Sequence, residues 1–231
     1  MVGPVLPLRD NVPTRITPFV TWSLIAANVL VFVLYQLPDL QGAVDELAYH
    51  PCEVNDSCAV VGQDWFLTAF TSMFMHADWV HLGGNMLFLW IFGNNVEDVM
   101  GHVRFLLFYV LAGLAATALQ TAFTLSAASA AGAAIPNLGA SGAISGVLGA
   151  YFLILPHARI LTLVFFFLLR EIPAWIVLGV YIALQLYDAN FQWRHPPEGG
   201  GVAVFAHLGG IAFGILTIYL FRKRKPLRPA Y

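Results

Sequence analysis

Six long apolar stretches constrain this chain more than any other feature of its sequence. They are continuous hydrophobic blocks rather than amphipathic patterns, which is typical of helices that cross a bilayer. Hydrophobic residues make up 59% of the 231 residues and charged residues only 10%, far from the roughly 25% charged fraction of soluble domains. We therefore predict an all-α, polytopic membrane protein with six membrane-spanning helices. The predicted spans are 18–36, 80–98, 103–125, 141–157, 172–188 and 203–221.

The distribution of basic residues sets the predicted orientation, because cytoplasmic loops of membrane proteins carry an excess of Lys and Arg. With six spans, ten of the eleven basic residues fall on one side and only Arg194 falls on the other. Both termini are therefore predicted to be cytoplasmic. Segment 1–17 precedes the membrane domain 18–221, and a basic tail, 222–231, follows it. The net charge of −2 gives no indication of a nucleic-acid partner.

The loop 37–79 is predicted to face outward. It carries seven acidic residues and no Lys or Arg. Within it, residues 65–75 are too apolar for a free loop and too few to span the membrane, so we expect them to lie partly embedded in the outer interface. Cys52 and Cys58 lie in the same loop, either as a disulfide or as two free thiols; a structural zinc site would need further Cys residues nearby.

Ser141 lies where a loop of small apolar residues turns into the fourth span, in the sequence Gly139-Ala140-Ser141-Gly142. At the start of a helix the backbone N–H groups are free, and the helix dipole favours negative charge there. A nucleophile at this position would have its own N–H where an oxyanion forms. The alternative is structural, since serine is a common helix N-cap and Gly142 belongs to a small-residue packing face.

His207 lies within the sixth span, on a face of small residues that includes Gly210 and Gly214. Span 4 has a matching small face, so the two helices can approach closely and bring His207 within hydrogen-bond reach of Ser141. A histidine in a span can also simply bond a neighbouring helix. No carboxylate lies within spans 4 or 6, so the sequence permits a Ser–His dyad rather than a Ser–His–Asp triad.

A third polar cluster opens the second span. His81 and Asn85 are four residues apart, so they share one face of a helix, and both side chains can donate hydrogen bonds to an oxyanion. Interhelical bonding is one alternative. A zinc site is another, with His76 or Asp78 as a further ligand.

At these residues the chain resembles the rhomboid family of intramembrane serine proteases. The resemblance covers about residues 65–220, and its motifs occur in the family's order. They are His76-x4-His81-x3-Asn85, Gly93-Asn94-Asn95-Val96-Glu97-Asp98 with Gly101 and Arg104-Phe105, Gly139-x-Ser141-Gly142, and Ala206-His207-x2-Gly210.

The resemblance implies a six-helix rhomboid-like bundle whose active site opens to the outer face. It also implies a serine endopeptidase, without cofactor or metal, that cleaves transmembrane segments of other membrane proteins near that face. Ser141 would be the nucleophile and His207 the general base and acid. The oxyanion would be held by His81, Asn85 and the Ser141 backbone, with His76, Gly139 and Gly142 in supporting roles. Span 5, from Pro173, would be the mobile flank through which a substrate enters. The lipid bilayer and transmembrane substrates are the expected partners, and the sequence indicates no oligomeric state.

The chain departs from the family pattern at two places. Many members have Trp-Arg where this chain has Leu67-Thr68, and some have a tyrosine, packed on the histidine, where this chain has Ser145. The anchoring of the outer loop and the orientation of His207 must therefore come from elsewhere. The main alternative function is an inactive rhomboid-like protein that binds transmembrane segments for trafficking or quality control. A transporter is less favoured because no internal repeat is visible. The bare six-span architecture predicts a bacterial inner membrane.

Overall fold

The structure, a computed structural model, describes residues 5–55, 57, 64–127, 129–165, 167–196 and 201–228. Most of them are helical. The helices are α1 (Phe19–Leu30, continued by a π-helical turn Val31–Gln36), α2 (Leu40–Leu47), α3 (Trp65–Thr71), α4 (Trp79–Phe88), α5 (Asn94–Met100), α6 (His102–Ala127), α7 (Ala130–Ala133), α8 (Ser141–Ile154), α9 (Ala174–Arg194) and α10 (Val204–Phe221). The strands are β1 (Val5–Asp10), β2 (Arg159–Val164) and β3 (Leu168–Pro173).

Among the described residues, four helical stretches are long and apolar enough to cross a membrane: Phe19–Gln36, His102–Ala127, Ala174–Arg194 and Val204–Phe221. The predicted second span corresponds to α4 and α5, which a π-helical segment, Leu89–Gly93, joins. The predicted fourth span corresponds to α8, which has only 14 residues. The mostly helical, polytopic character is confirmed, whereas the count of six spans, the cytoplasmic termini and the domain limits stay predictions.

The helices differ from the predicted limits of the fourth and fifth spans at three ends. Helix α8 ends at Ile154 rather than 157, and α9 runs from Ala174 to Arg194 rather than over 172–188. Pro156 explains the early end of α8, because a proline disfavours helical backbone in the residue before it. Leu155 has accordingly left the helix, with φ −136° and ψ 44°.

A small antiparallel sheet, absent from the sequence-based prediction, fills the connection between α8 and α9. Strands β2 and β3 form a hairpin, and β1 from the N-terminal segment pairs with the outer edge of β2. Arg15 then donates to the backbone carbonyl of Lys225, 2.6 Å away. The two ends of the described chain therefore lie at the same end of the bundle as the hairpin.

The start of α1 is held by two buried carboxylates of α5. Glu97 accepts hydrogen bonds from the backbone N–H groups of Val20 and Thr21 at 3.0 and 2.8 Å. Asp98 accepts from the N–H groups of Arg15 and Ile16 at 2.8 and 3.2 Å. Helix α1 has no side-chain cap of its own, so Glu97 satisfies donors that would otherwise be unpaired.

The core of the bundle is formed by α6, α8 and α10, each of which packs against the other two. Every residue of α8 from Gly142 to Tyr151 is buried. The backbones of α8 and α10 meet directly: a Cβ added at Gly210 would overlap the carbonyl oxygen of Gly142, and one added at Gly214 would overlap that of Gly146. The small faces predicted from the sequence therefore form the α8–α10 contact.

Replacing Gly210 by alanine should lower the thermal midpoint of the detergent-solubilised protein. The added Cβ would meet a backbone oxygen, which cannot rotate away, and overpacking of this kind costs roughly 1–3 kcal/mol. Gly179→Ala is the matched control, since nothing lies within 4 Å of a Cβ added at that helical glycine of α9. Equal thermal midpoints for the two variants would contradict the close packing of α8 and α10.

Asp10, the last residue of β1, has a largely buried carboxylate. Its Oδ2 accepts hydrogen bonds from Tyr151 Oη of α8 and from Asn95 Nδ2 of α5, both at 2.6 Å. Burial raises the pKa of Asp10 to about 6, against the opposing effect of these hydrogen bonds. The folded protein therefore keeps a proton on Asp10 at pH values where the unfolded chain has lost it.

This pKa shift predicts a pH-dependent stability. The contribution of protonated Asp10 is fully present below its ordinary pKa of 3.8 and is lost as the pH rises through about 6, because the folded state binds the extra proton in that window. We expect Asp10→Asn to remove this slope from the thermal midpoint plotted against pH. Asp45→Asn, on the exposed surface of α2, should leave the slope unchanged, and an unchanged slope in Asp10→Asn would disprove the assignment.

Candidate active site

Ser141 and His207 meet at the contact between α8 and α10. Ser141 is the first residue of α8, and His207 lies in the first turn of α10. Ser141 Oγ lies 2.9 Å from His207 Nε2, which is a hydrogen-bonding distance. The pair therefore has the geometry in which an imidazole can remove the proton of a serine hydroxyl.

The loop before α8 is fixed by backbone hydrogen bonds to residues of the segment 37–79. Tyr49 and Asn137 exchange two backbone hydrogen bonds, at 3.2 and 2.7 Å. Gly139 N–H donates to the carbonyl of Ser72 at 2.9 Å. Gly139 has φ +125°, a conformation that residues with a side chain rarely adopt. This turn brings Ser141 to the helix start.

Ser141 does not act as the N-cap of its helix, which was the structural alternative. Ala140 occupies the cap position, and no side chain caps the helix. The Ser141 hydroxyl instead contacts His207. As a first-turn residue, Ser141 has a backbone N–H without an acceptor inside the helix. Gly142 follows directly and packs against Ala116 of α6.

A third residue, Gln185 of α9, contacts the other ring nitrogen of His207. The Nδ1 atom lies 2.7 Å from Gln185 Oε1, and Gln185 is buried. Sequence reasoning missed this residue. The available signal was an amide in an otherwise apolar stretch of span 5, because a polar group at membrane depth needs a partner.

The position where some rhomboids have a tyrosine is filled in another way. Ser145 shares a hydrogen bond with the hydroxyl of Tyr181, whose Oη lies 2.9 Å from Ser145 Oγ. The Tyr181 ring lies beside His207, with ring centroids 6.4 Å apart and planes tilted by 40°. The tyrosine beside His207 is therefore supplied by α9 rather than by α8.

The Nε2 edge of His81 faces the loop that precedes α8. Its Nδ1 accepts a hydrogen bond from the backbone N–H of Ala77 at 3.4 Å, so in the neutral ring the proton is on Nε2. A Cβ added at Gly139 would lie 2.9 Å from His81 Nε2 and 3.6 Å from Ser141 Oγ. The Nε2 donor of His81 therefore faces the loop that carries the serine.

Asn85 lies one helical turn after His81 on α4, which also contacts α8. It is buried, and its Nδ2 has no hydrogen-bond partner among the described residues. A buried amide that keeps a free donor is costly unless it has a transient partner. That free donor is what an oxyanion site requires.

His76 is fully buried beside His81, with ring centroids 5.1 Å apart. Its backbone is clamped by Gln36, whose amide both donates to and accepts from it at 3.0 and 2.9 Å. Burial, together with the neighbouring His81, lowers the pKa of His76 to about 3. His76 is therefore neutral at physiological pH. Over the described residues, no three His, Cys, Asp or Glu side chains form a metal-binding group.

The segment 37–79 is anchored without the Trp-Arg pair that many rhomboids have. Thr68 is buried, and its hydroxyl donates to Glu53 Oε2 at 3.3 Å. Thr71 donates to the carbonyl of Leu47 at 2.9 Å, while Leu67 is exposed. Cys52 is buried in the same region, and its predicted disulfide partner, Cys58, lies outside the described residues.

A cavity of about 40 Å³ lies next to Ser141, on the side that faces α6. This volume holds water or a small side chain. Its lining includes Gly113, Ala116 and Gln120 of α6 together with Ser72 and Gly139.

The fold and site together define a class: a polytopic helical membrane protein with a hydrogen-bonded Ser–His pair. A family model described as "Rhomboid domain" matches residues 63–224. The chain belongs to the rhomboid family, whose members are generally intramembrane serine proteases, although some are inactive.

Three relatives illustrate the similarity. The chain is 32% identical over 200 residues to Rhomboid protein 1, mitochondrial, of Saccharomyces cerevisiae, covering 84% of this chain and 51% of the relative. It is 30% identical over 210 residues to Presenilin-associated rhomboid-like protein, mitochondrial, of Bos taurus, covering 89% and 50%. It is 34% identical over 133 residues to Rhomboid protease GluP of Bacillus subtilis, covering 58% and 24%. The chain thus spans about half the length of the first two relatives.

Proposed function

We propose that this protein is an intramembrane serine endopeptidase that cleaves transmembrane segments of membrane proteins. The observation that carries the proposal is the 2.9 Å contact between Ser141 Oγ and His207 Nε2, in a chain that belongs to the rhomboid family. A serine hydroxyl is a weak nucleophile alone, and it becomes reactive when an adjacent base removes its proton.

In the proposed mechanism, Ser141 Oγ attacks the scissile carbonyl while His207 Nε2 takes the hydroxyl proton. The peptide C–N bond then breaks, and His207 returns the proton to the leaving amine. Water attacks the resulting ester of Ser141, again with His207 as the base, and releases the second product with a free hydroxyl on Ser141.

The oxyanion of each tetrahedral intermediate would be held by three donors. These are the Ser141 backbone N–H at the start of α8, the Nε2–H of His81 and the Nδ2–H of Asn85. The unpartnered Asn85 donor supports this role, because a donor that is already in place costs no reorganisation when negative charge develops.

The substrate class follows from the chemistry of a helix in a bilayer. The backbone carbonyls of a regular helix are hydrogen-bonded and shielded, so cleavage requires a locally unwound chain. We therefore expect cleavage near the outer face, in segments interrupted by Gly, Pro or polar residues. The 40 Å³ cavity beside Ser141 supports a small side chain at the cut.

The predicted orientation implies an active site that opens to the outer, extracytoplasmic side of the membrane. A bacterial inner membrane remains our sequence-based prediction, and the mitochondrial names of the yeast and bovine relatives weigh against it.

Reconstituted cleavage tests the proposal. Proteoliposomes would contain the protein and one of two single-span substrates, which differ only in a Gly-Pro interruption of an otherwise continuous Leu helix. We expect the interrupted substrate to be cut at least about tenfold faster, since unwinding a regular helix in lipid breaks several backbone hydrogen bonds. Mass spectrometry of the products locates the cut.

Ser141→Ala and His207→Ala are the controls, and each should abolish cleavage. Cleavage that persists in Ser141→Ala would contradict the mechanism, and equal cleavage of both substrates would contradict the substrate class. Binding without cleavage by the folded wild-type protein would instead support the alternative of an inactive rhomboid-like protein.

Asn85→Ala should lower kcat by about a hundredfold with little change in KM, because the lost donor contacts only the developing oxyanion. Steady-state cleavage of the interrupted substrate measures both constants. Asn190→Ala, on the exposed surface of α9, is the matched control. A rise in KM at unchanged kcat would show that Asn85 binds the ground state rather than the oxyanion.

A further inference from the structure

We propose that Gln185 is a positioning residue that fixes the protonation pattern and the orientation of His207, an inference that rests on the proposed function. The contact that carries it is the 2.7 Å distance between Gln185 Oε1 and His207 Nδ1. It lies on the ring edge opposite the Ser141 contact, so the histidine is held between a helix-borne amide and the nucleophile.

The chemistry of an amide oxygen determines the tautomer. Gln185 Oε1 can only accept a hydrogen bond, so His207 Nδ1 must donate one. In the neutral ring the other nitrogen, Nε2, then carries a lone pair. Nε2 is the atom that lies 2.9 Å from Ser141 Oγ, so Gln185 selects the tautomer that can accept the serine proton.

An uncharged partner suits this location. In soluble Ser–His–Asp enzymes a carboxylate orients the histidine, but a carboxylate buried at membrane depth is costly. Helices α8 and α10 contain no acidic residue. A glutamine supplies the same acceptor without bringing a charge into the bundle, at the expense of weaker stabilisation of the imidazolium that forms during the reaction.

Helix α9 contacts the site through a second polar group on the same face. Tyr181 precedes Gln185 by one helical turn and shares its hydrogen bond with Ser145 of α8. Apart from these contacts α9 is lightly packed, and its other buried residues are Ala174, Leu178 and Ala189. The orientation of His207 therefore depends on the position of a helix that few other buried residues hold.

Three variants separate a positioning role from a structural one. Gln185→Met keeps the length of the side chain and removes the acceptor. Gln185→Glu restores an acceptor oxygen at the same place. Gln192→Met is the matched control, because Gln192 lies on the same helix and donates to the carbonyl of Val202 without contacting the dyad.

The primary readout is the second-order rate constant for labelling by a fluorescent fluorophosphonate, which reports the reactivity of Ser141 without a transmembrane substrate. We expect Gln185→Met to lower this rate constant and kcat by about 10- to 100-fold, part of the contribution of a general base. KM and the thermal midpoint should stay at wild-type values. Gln185→Glu should return the rate constant to within about threefold of wild type, and Gln192→Met should be unchanged.

The outcomes distinguish the two proposals. If wild type labels and Gln185→Met labels equally fast, the positioning role is wrong while the protease proposal stands. If Gln185→Met loses reactivity and Gln185→Glu, with a wild-type thermal midpoint, does not regain it, the role of the acceptor oxygen is wrong. If folded wild type neither labels nor cleaves, the proposed function fails and the role of Gln185 fails with it.

Discussion

The direct contact between the backbones of α8 and α10 is the constraint on which the rest of the site depends. Where Gly210 and Gly214 lie against the carbonyls of Gly142 and Gly146, no side chain separates the two helices. This contact sets the distance between the first residue of α8 and the first turn of α10. Ser141 and His207 are therefore positioned by rigid elements rather than by loops, which favours a fixed reactive geometry.

The polar groups of the bundle are organised by the need for partners in a low-dielectric environment. Glu97 and Asp98 satisfy the backbone at the start of α1, and Gln36 clamps the backbone of His76. Asn85 is one of several exceptions, since its Nδ2 and both ring nitrogens of His76 have no hydrogen-bond partner among the described residues. The free Nδ2 donor of Asn85 is consistent with the proposed oxyanion role, because such a role needs a donor that is not already occupied.

The sequence predicted the elements that hydropathy controls. The limits of α6 and α10 lie within two residues of the predicted spans, and the small faces predicted the approach of Ser141 to His207. The sheet escaped prediction because residues 160–169 are apolar except for Thr162 and show no regular alternation, and β1 pairs with β2 from more than a hundred residues away. The predicted fifth span ended before Arg194, where α9 ends, because hydropathy marks the apolar part of a helix and not its polar end.

The role of Gln185 could not be predicted for a related reason. A lone amide in an apolar span signals that a partner exists, but the partner is set by the rotation of α9 about its axis, which tertiary packing decides. Tyr181 is similar: the sequence showed that Ser145 stands where a tyrosine is found elsewhere, without showing that α9 supplies one. The contacts of both residues are visible only in the structure, where α8, α9 and α10 pack together.

The most direct test of the central claim is to identify the residue that a fluorophosphonate modifies in the folded, detergent-solubilised protein. Peptide mass spectrometry after labelling would locate the adduct. An activated dyad predicts a single adduct on Ser141, absent when His207 is replaced by alanine. Modification of other serines to the same extent, or labelling of Ser141 that is unaffected by His207→Ala, would contradict the dyad.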